Sequence, residues 1–402
     1  MLSINNPEIL EVLEDFHGGM LPFVMGEQKY LVFKIPKECI LTVKKNKKLE
    51  ILLDKINLND KVIPVLLAIF HDDEDEPLIL KNPLFDQDLN VYQEFFRAEK
   101  IQISFFNENN YELMYYEAML ENIGLFIEQL RSMKCVNVES VNQYEFMKAY
   151  CDWEIVDKIN YESKILITLL EPLFPDDFLI TDLRGVNYDG IDNHSIYYTQ
   201  LIRDENPGKF QELEIAKMLS RIFKPDQIFI NPLKIEDGKE IADIIVVTEN
   251  ELFLIQAKDT PNTEEILSSS LKRKKSKTLK HFKKAVEQYK GAARYINQIK
   301  DLEFKIAEHI YKFPEIQQKK LRSIIIVKEL FLHDYSEYSK IMLQAMQQEN
   351  SPCLFWDFTD LQEKTMVLRD NLLEFNNFYD RTYERARHDQ EFLKVVLANR
   401  IN

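Results

Sequence analysis

The stretch that decides the fold is IADIIVVTENELFLIQAKD, residues 241–259. Two apolar runs, Ile241–Val247 and Glu251–Lys258, flank Thr248-Glu249-Asn250, a polar triplet of the kind that joins hairpin strands. In the second run, alternation puts Leu252, Leu254, Gln256 and Lys258 on one face and Phe253, Ile255 and Ala257 on the other. Both faces are apolar for most of their length, which predicts a central strand covered on both sides. Gln256 and Lys258 then emerge side by side where the strand ends. An ammonium at a buried edge is costly unless an anion meets it, and Asp243 on the neighbouring strand is the nearest candidate. One acid, one amide and one lysine converging at a hairpin end suit a hard cation such as Mg²⁺. Its ligands would be an Asp243 carboxylate oxygen, the Gln256 carbonyl and a main-chain oxygen near Ala257.

The elements on either side alternate in the same α/β manner. A helix is predicted over Phe210–Phe223, then a strand over Gln227–Ile235 and a turn at Asp237-Gly238. A long helix over Lys275–Lys300 follows the hairpin. Next come a strand at Ser323–Leu330, a helix at Glu337–Gln348, a strand at Cys353–Phe358 and helical sequence over Leu368–Asn402. This order implies a mixed sheet flanked by helices. On the first helix, Glu212 falls three, four, seven and ten residues before Ile215, Ala216, Leu219 and Ile222. It therefore shares the face that packs on the sheet, and it can bring a second acid to the site. An acid near a helix N-terminus is also favoured by the dipole alone. Glu214 shares its turn with Lys217, Met218 and Arg221 and is expected to point to solvent.

The order Glu212, Asp243, Gln256-Ala257-Lys258, set within helix–strand–hairpin–helix, resembles the PD-(D/E)XK nuclease superfamily, and within it the QxK subset seen in Mrr-like restriction enzymes. The likeness covers about residues 207–360. It departs from the superfamily pattern at Ala242, where the motif has Pro, and at Gln256, which replaces an acid and makes Glu212 more necessary as a ligand. The resemblance implies a restriction-endonuclease-like fold and Mg²⁺- or Mn²⁺-dependent hydrolysis of phosphodiester bonds, in DNA rather than RNA, in the setting of bacterial restriction or phage defence. It implies Asp243, Gln256, Lys258 and Glu212 as catalytic residues, with Glu212, Asp243, Gln256 and Ala257 around the metal. No covalent nucleophile is needed for this chemistry, and no GxSxG elbow or HxxxH pair occurs. The alternative, kept open by Gln256, is a nuclease fold without catalysis that serves as a nucleic-acid-binding or scaffold module.

Charge refines the expected partner. The 402 residues carry 51 Lys and Arg against 67 Asp and Glu, a net charge of −16, which argues against binding polyanions through bulk charge. The acidity is uneven: residues 1–200 sum to −17, residues 201–300 to +4 and residues 301–402 to −3. The positive excess includes KRKKSKTLKHFKK, residues 272–284, which holds eight Lys or Arg and no acid. Such a run is often a solvated helix face. Its place between the Gln256-Ala257-Lys258 strand and the helix bearing Gln288 makes Lys272, Arg273, Lys274, Lys275, Lys277 and Gln288 candidates for phosphate contact. Only nine glycines are present, and neither GxxxxGK[ST] nor GxGxxG is found, so no phosphate-binding loop is available.

The charge break near residue 200 marks the expected domain boundary. The organisation read from the chain is a β-rich α+β domain over 1–120, a helical and irregular connector over 121–205, the nuclease-like domain over 206–360 and a helical extension over 361–402. In the first domain, Leu21–Met25 and Lys29–Ile35 form an expected hairpin about Gly26-Glu27-Gln28. Val62–Phe70, Leu78–Leu80, Ile101–Glu108 and Tyr111–Leu120 are further strands, and helices are expected over Glu121–Lys134 and Val141–Ile159. This acidic half is read as a sensing, specificity or oligomerisation module, or as a cover over the basic run, and cutting two strands would favour a homodimer. The acidic run His71–Glu76 lacks the calcium-loop pattern and reads as a solvated turn. Phe105, Phe106, Tyr111, Tyr115 and Tyr116 read as cross-strand core pairs. Cys39, Cys135, Cys151 and Cys353 form no CxxC pair, and the N-terminus has no secretory pattern. The longest apolar run, Val62–Phe70, is interrupted by Pro64 and too short to span a bilayer, so a cytoplasmic location is expected.

Overall fold

The computed structural model describes residues 1–16, 18–26, 28–58, 61–71, 77–133, 136–152, 164–174, 179–182, 196–199, 207–258 and 269–395. They fall into two compact units, one built on Met1–Leu179 and the other on Ile202–Leu397. The acidic run at Asp72–Glu76 and Cys135 lie outside the described residues. Cys39 and Cys353 are buried free thiols. Among the described residues no helix is long and apolar enough to cross a membrane.

The first unit is one eight-stranded sheet with helices around it. Its strands are β1 (Gly19–Met25), β2 (Gln28–Lys34), β3 (Lys48–Leu58), β4 (Lys61–Phe70), β5 (Leu78–Pro83), β6 (Lys100–Phe106), β7 (Glu112–Glu121) and β8 (Ile165–Pro172). They are ordered β1-β2-β6-β7-β8-β3-β4-β5. The helices are α1 (Leu2–Asn5), α2 (Glu8–Asp15), α3 (Lys37–Asn46), α4 (Asp86–Phe95), α5 (Ile123–Ser132) and α6 (Gln143–Asp152). The two outer strands approach each other: the Met20 amide donates to Asn82 Oδ1 at 3.0 Å, and the Tyr92 hydroxyl donates to the Met20 carbonyl at 2.6 Å. The sheet thus curls nearly into a barrel. Gly19 permits this closure, because a Cβ there would stand 2.5 Å from Asn82 Oδ1. The hairpin β1–β2 follows the expected residues. Strand β8 comes from the stretch read as a connector and lies between β7 and β3. Strand β3 was hidden by Glu50, Asp54 and Lys55, which interleave with its buried side chains. Phe105, Phe106, Tyr115 and Tyr116 are buried, in keeping with a core role. A small sheet of β9 (Leu179–Asp182) and β10 (Ile196–Thr199) stands apart from these.

The second unit, which also takes in Ile180–Tyr198, contains α7 (Pro207–Leu219) and a five-stranded mixed sheet. Its strands are β11 (Ile228–Ile230), β13 (Ile244–Val247), β14 (Glu251–Lys258), β17 (Lys320–Val327) and β18 (Cys353–Asp357), in the order β11-β13-β14-β17-β18. A second, antiparallel sheet holds β12 (Leu233–Lys234), β15 (Leu302–Ile306) and β16 (His309–Phe313). The helices are α8 (Leu271–Gln298), α9 (Tyr335–Glu349), α10 (Phe358–Val367) and α11 (Leu372–Asp389). Strand β14 is central and covered, as its two apolar faces require: residues 252–257 are all buried. On one side Phe253 meets Phe223, Phe375 and Tyr379, and on the other Leu252 and Leu254 pack with Ala292 and Ile296 of α8. Strands β14, β17 and β18 are parallel, and their register aligns Lys258, Val327 and Asp357 along one edge.

Three departures from the sequence reading have local causes. The strand expected over Gln227–Ile235 breaks in two at Asn231-Pro232, because Asn231 takes a left-handed conformation (φ 53°) and Pro has no N–H to continue a ladder. The hairpin β15–β16 was not anticipated, since its outer face carries Glu303, Lys305 and Lys312 and reads as polar. In the helical stretch expected over Leu368–Asn402 the described helix is Leu372–Asp389, and a further helix, Phe358–Val367, precedes it. Asp357 accepts the Asp360 amide at 2.8 Å to cap the earlier helix, and Asn371 accepts the Glu374 amide at 3.1 Å to cap the later one.

Candidate active site

The hairpin β13–β14 brings the proposed chemistry together. Thr248 closes its turn, with its amide donating to the Glu251 carbonyl and its hydroxyl accepting the Glu251 amide, each at 3.0 Å. Pairing runs from Val247↔Leu252 to Ile244↔Ile255, so Asp243 follows directly opposite Gln256. Asp243 and Gln256 are both buried. Asp243 Oδ2 accepts the Ala257 amide at 2.5 Å, and Lys258 Nζ lies 3.3 Å from Oδ2 and 3.5 Å from Oδ1. The ion pair is largely sheltered, with Lys258 17% and Asp243 8% exposed. In an extended strand the N–H and C=O of one residue leave the same edge, so the Ala257 carbonyl faces the Asp243 side as well.

Glu212 reaches this neighbourhood by a different route from the one its spacing implied. It is half-buried and accepts a hydrogen bond from Asn231 Nδ2 at 2.7 Å. The Asn231 main-chain amide in turn donates to the Asp243 carbonyl at 2.9 Å. Asn231 therefore ties the helix acid to the strand acid, and its left-handed conformation is what lets it do both. Glu214, expected at the surface, is buried instead. The single-face assumption failed because α7 packs against β11 and β14 on one side and α10 on another.

A third carboxylate was missed by the sequence reading. Glu240 bridges to Leu233 across the Asp237-Gly238 turn, three residues before Asp243. Its carboxyl is pushed up to about 7, first by burial of the group and then by the charges of Asp243 and Glu212, against the pull of Lys258. Glu240 is exposed as a residue, and the charges of this cluster act on its carboxyl. Asp243 is the carboxylate in contact with the Lys258 ammonium, and the charges of Asp243 and Glu212 act on Glu240 beside it. The signal available in the sequence was an acid three residues before Asp243, just after the turn containing Gly238 (φ 69°).

Glu212, Glu240, Asp243 and the Gln256 amide offer oxygen donors only, which suit Mg²⁺ or Mn²⁺ in kind. Repulsion among the acids, relieved by a proton on Glu240, is also what a bound cation would relieve. Among the described residues, no three His, Cys, Asp or Glu side chains are gathered into one metal-holding group.

The basic run forms the first half of α8, which starts four residues earlier than expected because Lys and Arg propagate a helix well. Lys272 and Arg273 are exposed, while Lys274, Lys275 and Lys277 are half-buried. Gln288 lies on the exposed side of the helix, next to buried Tyr289. The first turn holds no acid, and Ser270 makes no side-chain cap. Comparison with protein-family models, with curated proteins and with solved structures finds no match to this chain.

Proposed function

We propose that the second unit is a metal-dependent phosphodiesterase acting on DNA, built like the PD-(D/E)XK nucleases that its hairpin resembles. The observation that carries this reading is the meeting of Lys258 Nζ with Asp243 at 3.3 Å beside Glu212 and Glu240, at the end of the central strand. Glu212, Asp243, Gln256 and the Ala257 main chain would hold Mg²⁺ or Mn²⁺. Such an ion lowers the pKa of a bound water and neutralises phosphate charge. Lys258 supplies a fixed cation for the negative charge that develops on the scissile phosphate, and its sheltered position makes that charge count for more than it would in water. Asn231 is a positioning residue that orients Glu212. The start of α8 supports a polyanionic substrate. Four cations sit at the positive end of a helix dipole, an arrangement that is unfavourable by itself and that phosphate relieves.

The test is incubation of supercoiled and linear DNA with Mn²⁺. Wild type should cut, and Lys258→Ala should lose roughly 10²–10⁴-fold in rate, the usual range for removing a positioned acid–base or charge-stabilising group. Equal rates would refute the assigned mechanism. A second reading, a nuclease fold that binds without cutting, is favoured by one observation: Asp243 is already satisfied by the Ala257 amide and Lys258. Calorimetry separates the two, because heat of Mn²⁺ binding that vanishes in Asp243→Asn belongs only to the active reading.

A further inference from the structure

A cleft of about 400 Å³ opens between the start of α8 and the start of α9. Lys272, Lys275 and Leu279 line one wall, and Asp334, Glu337 and Tyr338 line the other. Its place follows from the topology. Helices α8 and α9 follow the carboxyl ends of the parallel strands β14 and β17. Helix α8 runs back over the sheet: Phe282 meets Phe355 in the middle of β18, and the Tyr289 hydroxyl donates to the Ser351 carbonyl just before β18 begins. The first turns of α8 therefore stand at the opposite edge, the one that ends in Lys258, Val327 and Asp357. The Lys275 ammonium over the Phe331 ring, 5.6 Å from its centroid, ties α8 to the loop that follows β17. The carboxyl edge of parallel strands is where open α/β sheets take their ligands.

The lining is chemically mixed in a way that restricts the guest. Tyr338 is fully buried, and its hydroxyl has no hydrogen-bond partner. The Phe331 main chain lies near it without meeting hydrogen-bond geometry. Asp334 stands at the N-cap of α9 but makes no side-chain cap, and Glu337 faces Lys283 only at 3.5 Å. Carboxylates accept from amino and ring N–H groups of bases, the half-buried Leu271 and Leu279 offer apolar surface for a base to pack on, and lysines meet phosphate. The volume falls in the range of small-ligand pockets, about 300–1,000 Å³.

We infer that this cleft receives a single nucleobase bearing an exocyclic amino group, turned out of its stack, with Asp334 and Glu337 reading the amino edge and Lys272 and Lys275 holding the adjoining phosphate. The inference rests on the nucleic-acid reading above and narrows it to DNA with an unpaired base. A base in a paired duplex cannot enter, because its amino edge is occupied and its faces are stacked.

The experiment measures binding, not cleavage. Full-length protein in EDTA is titrated against a fluorescein-labelled duplex, fully paired or carrying one extrahelical cytosine. Wild type should bind the bulged duplex about tenfold tighter or more. Asp334→Asn with Glu337→Gln, and separately Ser276→Phe to fill the cleft, should each reduce that preference to under about twofold while leaving affinity for the paired duplex equal or higher. Equal affinity of wild type for the two duplexes, or a preference that survives either variant, overturns the inference. Lys258→Ala should keep the preference. A protein that prefers the bulge but cuts equally well with Lys258→Ala would therefore refute the catalytic reading alone.

Discussion

Arg322 offers the sharpest test of how the central strand is held. It lies on β17, is 2% exposed, and reaches in two directions. Toward α11 it forms a fork on Asp380, with Nε 3.1 Å from Oδ1 and Nη2 2.9 Å from Oδ2. Toward β14 its Nη1 meets Glu251, and its guanidinium lies 5.6 Å from the ring centroids of both Phe253 and Tyr379. Arg322→Met keeps much of the volume and removes the charge. Breaking a buried ion pair from one side costs about 3–5 kcal/mol, since the remaining acid is left uncompensated. Asp380 retains Lys320 at 2.7 Å, Glu251 retains Asn376 at 3.2 Å, and both acids are partly exposed. The expected loss is therefore at the low end, about 3 kcal/mol, or a fall of about 6–12 °C in Tm for a unit of this size. Urea unfolding followed by Trp356 fluorescence, in a Trp153→Phe background, reports on this unit. The pH dependence has a definite sign. Burial pushes the Asp380 carboxyl up, but hydrogen bonds from Arg322 and Lys320 outweigh it and hold the carboxyl below its ordinary value. A depressed carboxyl contributes stability above its unfolded pKa that is lost as pH falls through the folded value. The deficit of Arg322→Met should therefore be full at pH 7 and shrink below about pH 4. A loss under about 1 kcal/mol at pH 7, or a deficit unchanged at low pH, would show that packing and not charge holds this joint.

Glu240→Gln should be more stable relative to wild type at pH 8.5 than at pH 5.5. The raised Glu240 carboxyl favours folding only while it keeps its proton, so the native protein loses that contribution as pH rises through about 7; a flat difference across this window counts against the cluster. Replacing Lys272, Lys274 and Lys277 by Ala should lower the slope of log K against log salt for DNA by up to about 0.9 per lost phosphate contact, and an unchanged slope would remove these residues from the interface. In the first unit, buried Glu112 accepts from the amides of Leu2 and Ser3 at 2.7 and 2.9 Å and from the hydroxyls of Ser3 and Ser104 at 2.6 and 2.7 Å. Glu112→Ala should cost about 3 kcal/mol by orphaning these donors, and urea unfolding within about 1 kcal/mol of wild type would contradict that.

The parts of the second unit that were legible are those governed by one local rule. Strand β14 shows its burial on both faces because every position from 252 to 257 had to be compatible with a covered sheet. Asp243 and Lys258 were legible as partners because a hairpin with a short turn fixes its own register. The rest depends on contacts that no local rule carries. Glu214 and Glu212 differ by half a turn, and which one is buried depends on α10, a helix far along the chain that closes the second side of α7. Glu240 joins the site through a single bridge to Leu233 and through the break at Asn231-Pro232, which diverts β12 into another sheet. Asn231 looks like an ordinary turn residue, yet its φ of 53° places its amide on Asp243 and its side chain on Glu212 at once. The net charge misleads for a similar reason. A total of −16 averages over distances far greater than the screening length of about 8 Å in physiological salt, whereas a phosphate at the start of α8 responds to the cations within that length. The local field there is set by the charges within that length, the cations Lys272, Arg273, Lys274 and Lys275 in the first turns of one helix and the facing Asp334 and Glu337, and not by the total over the chain.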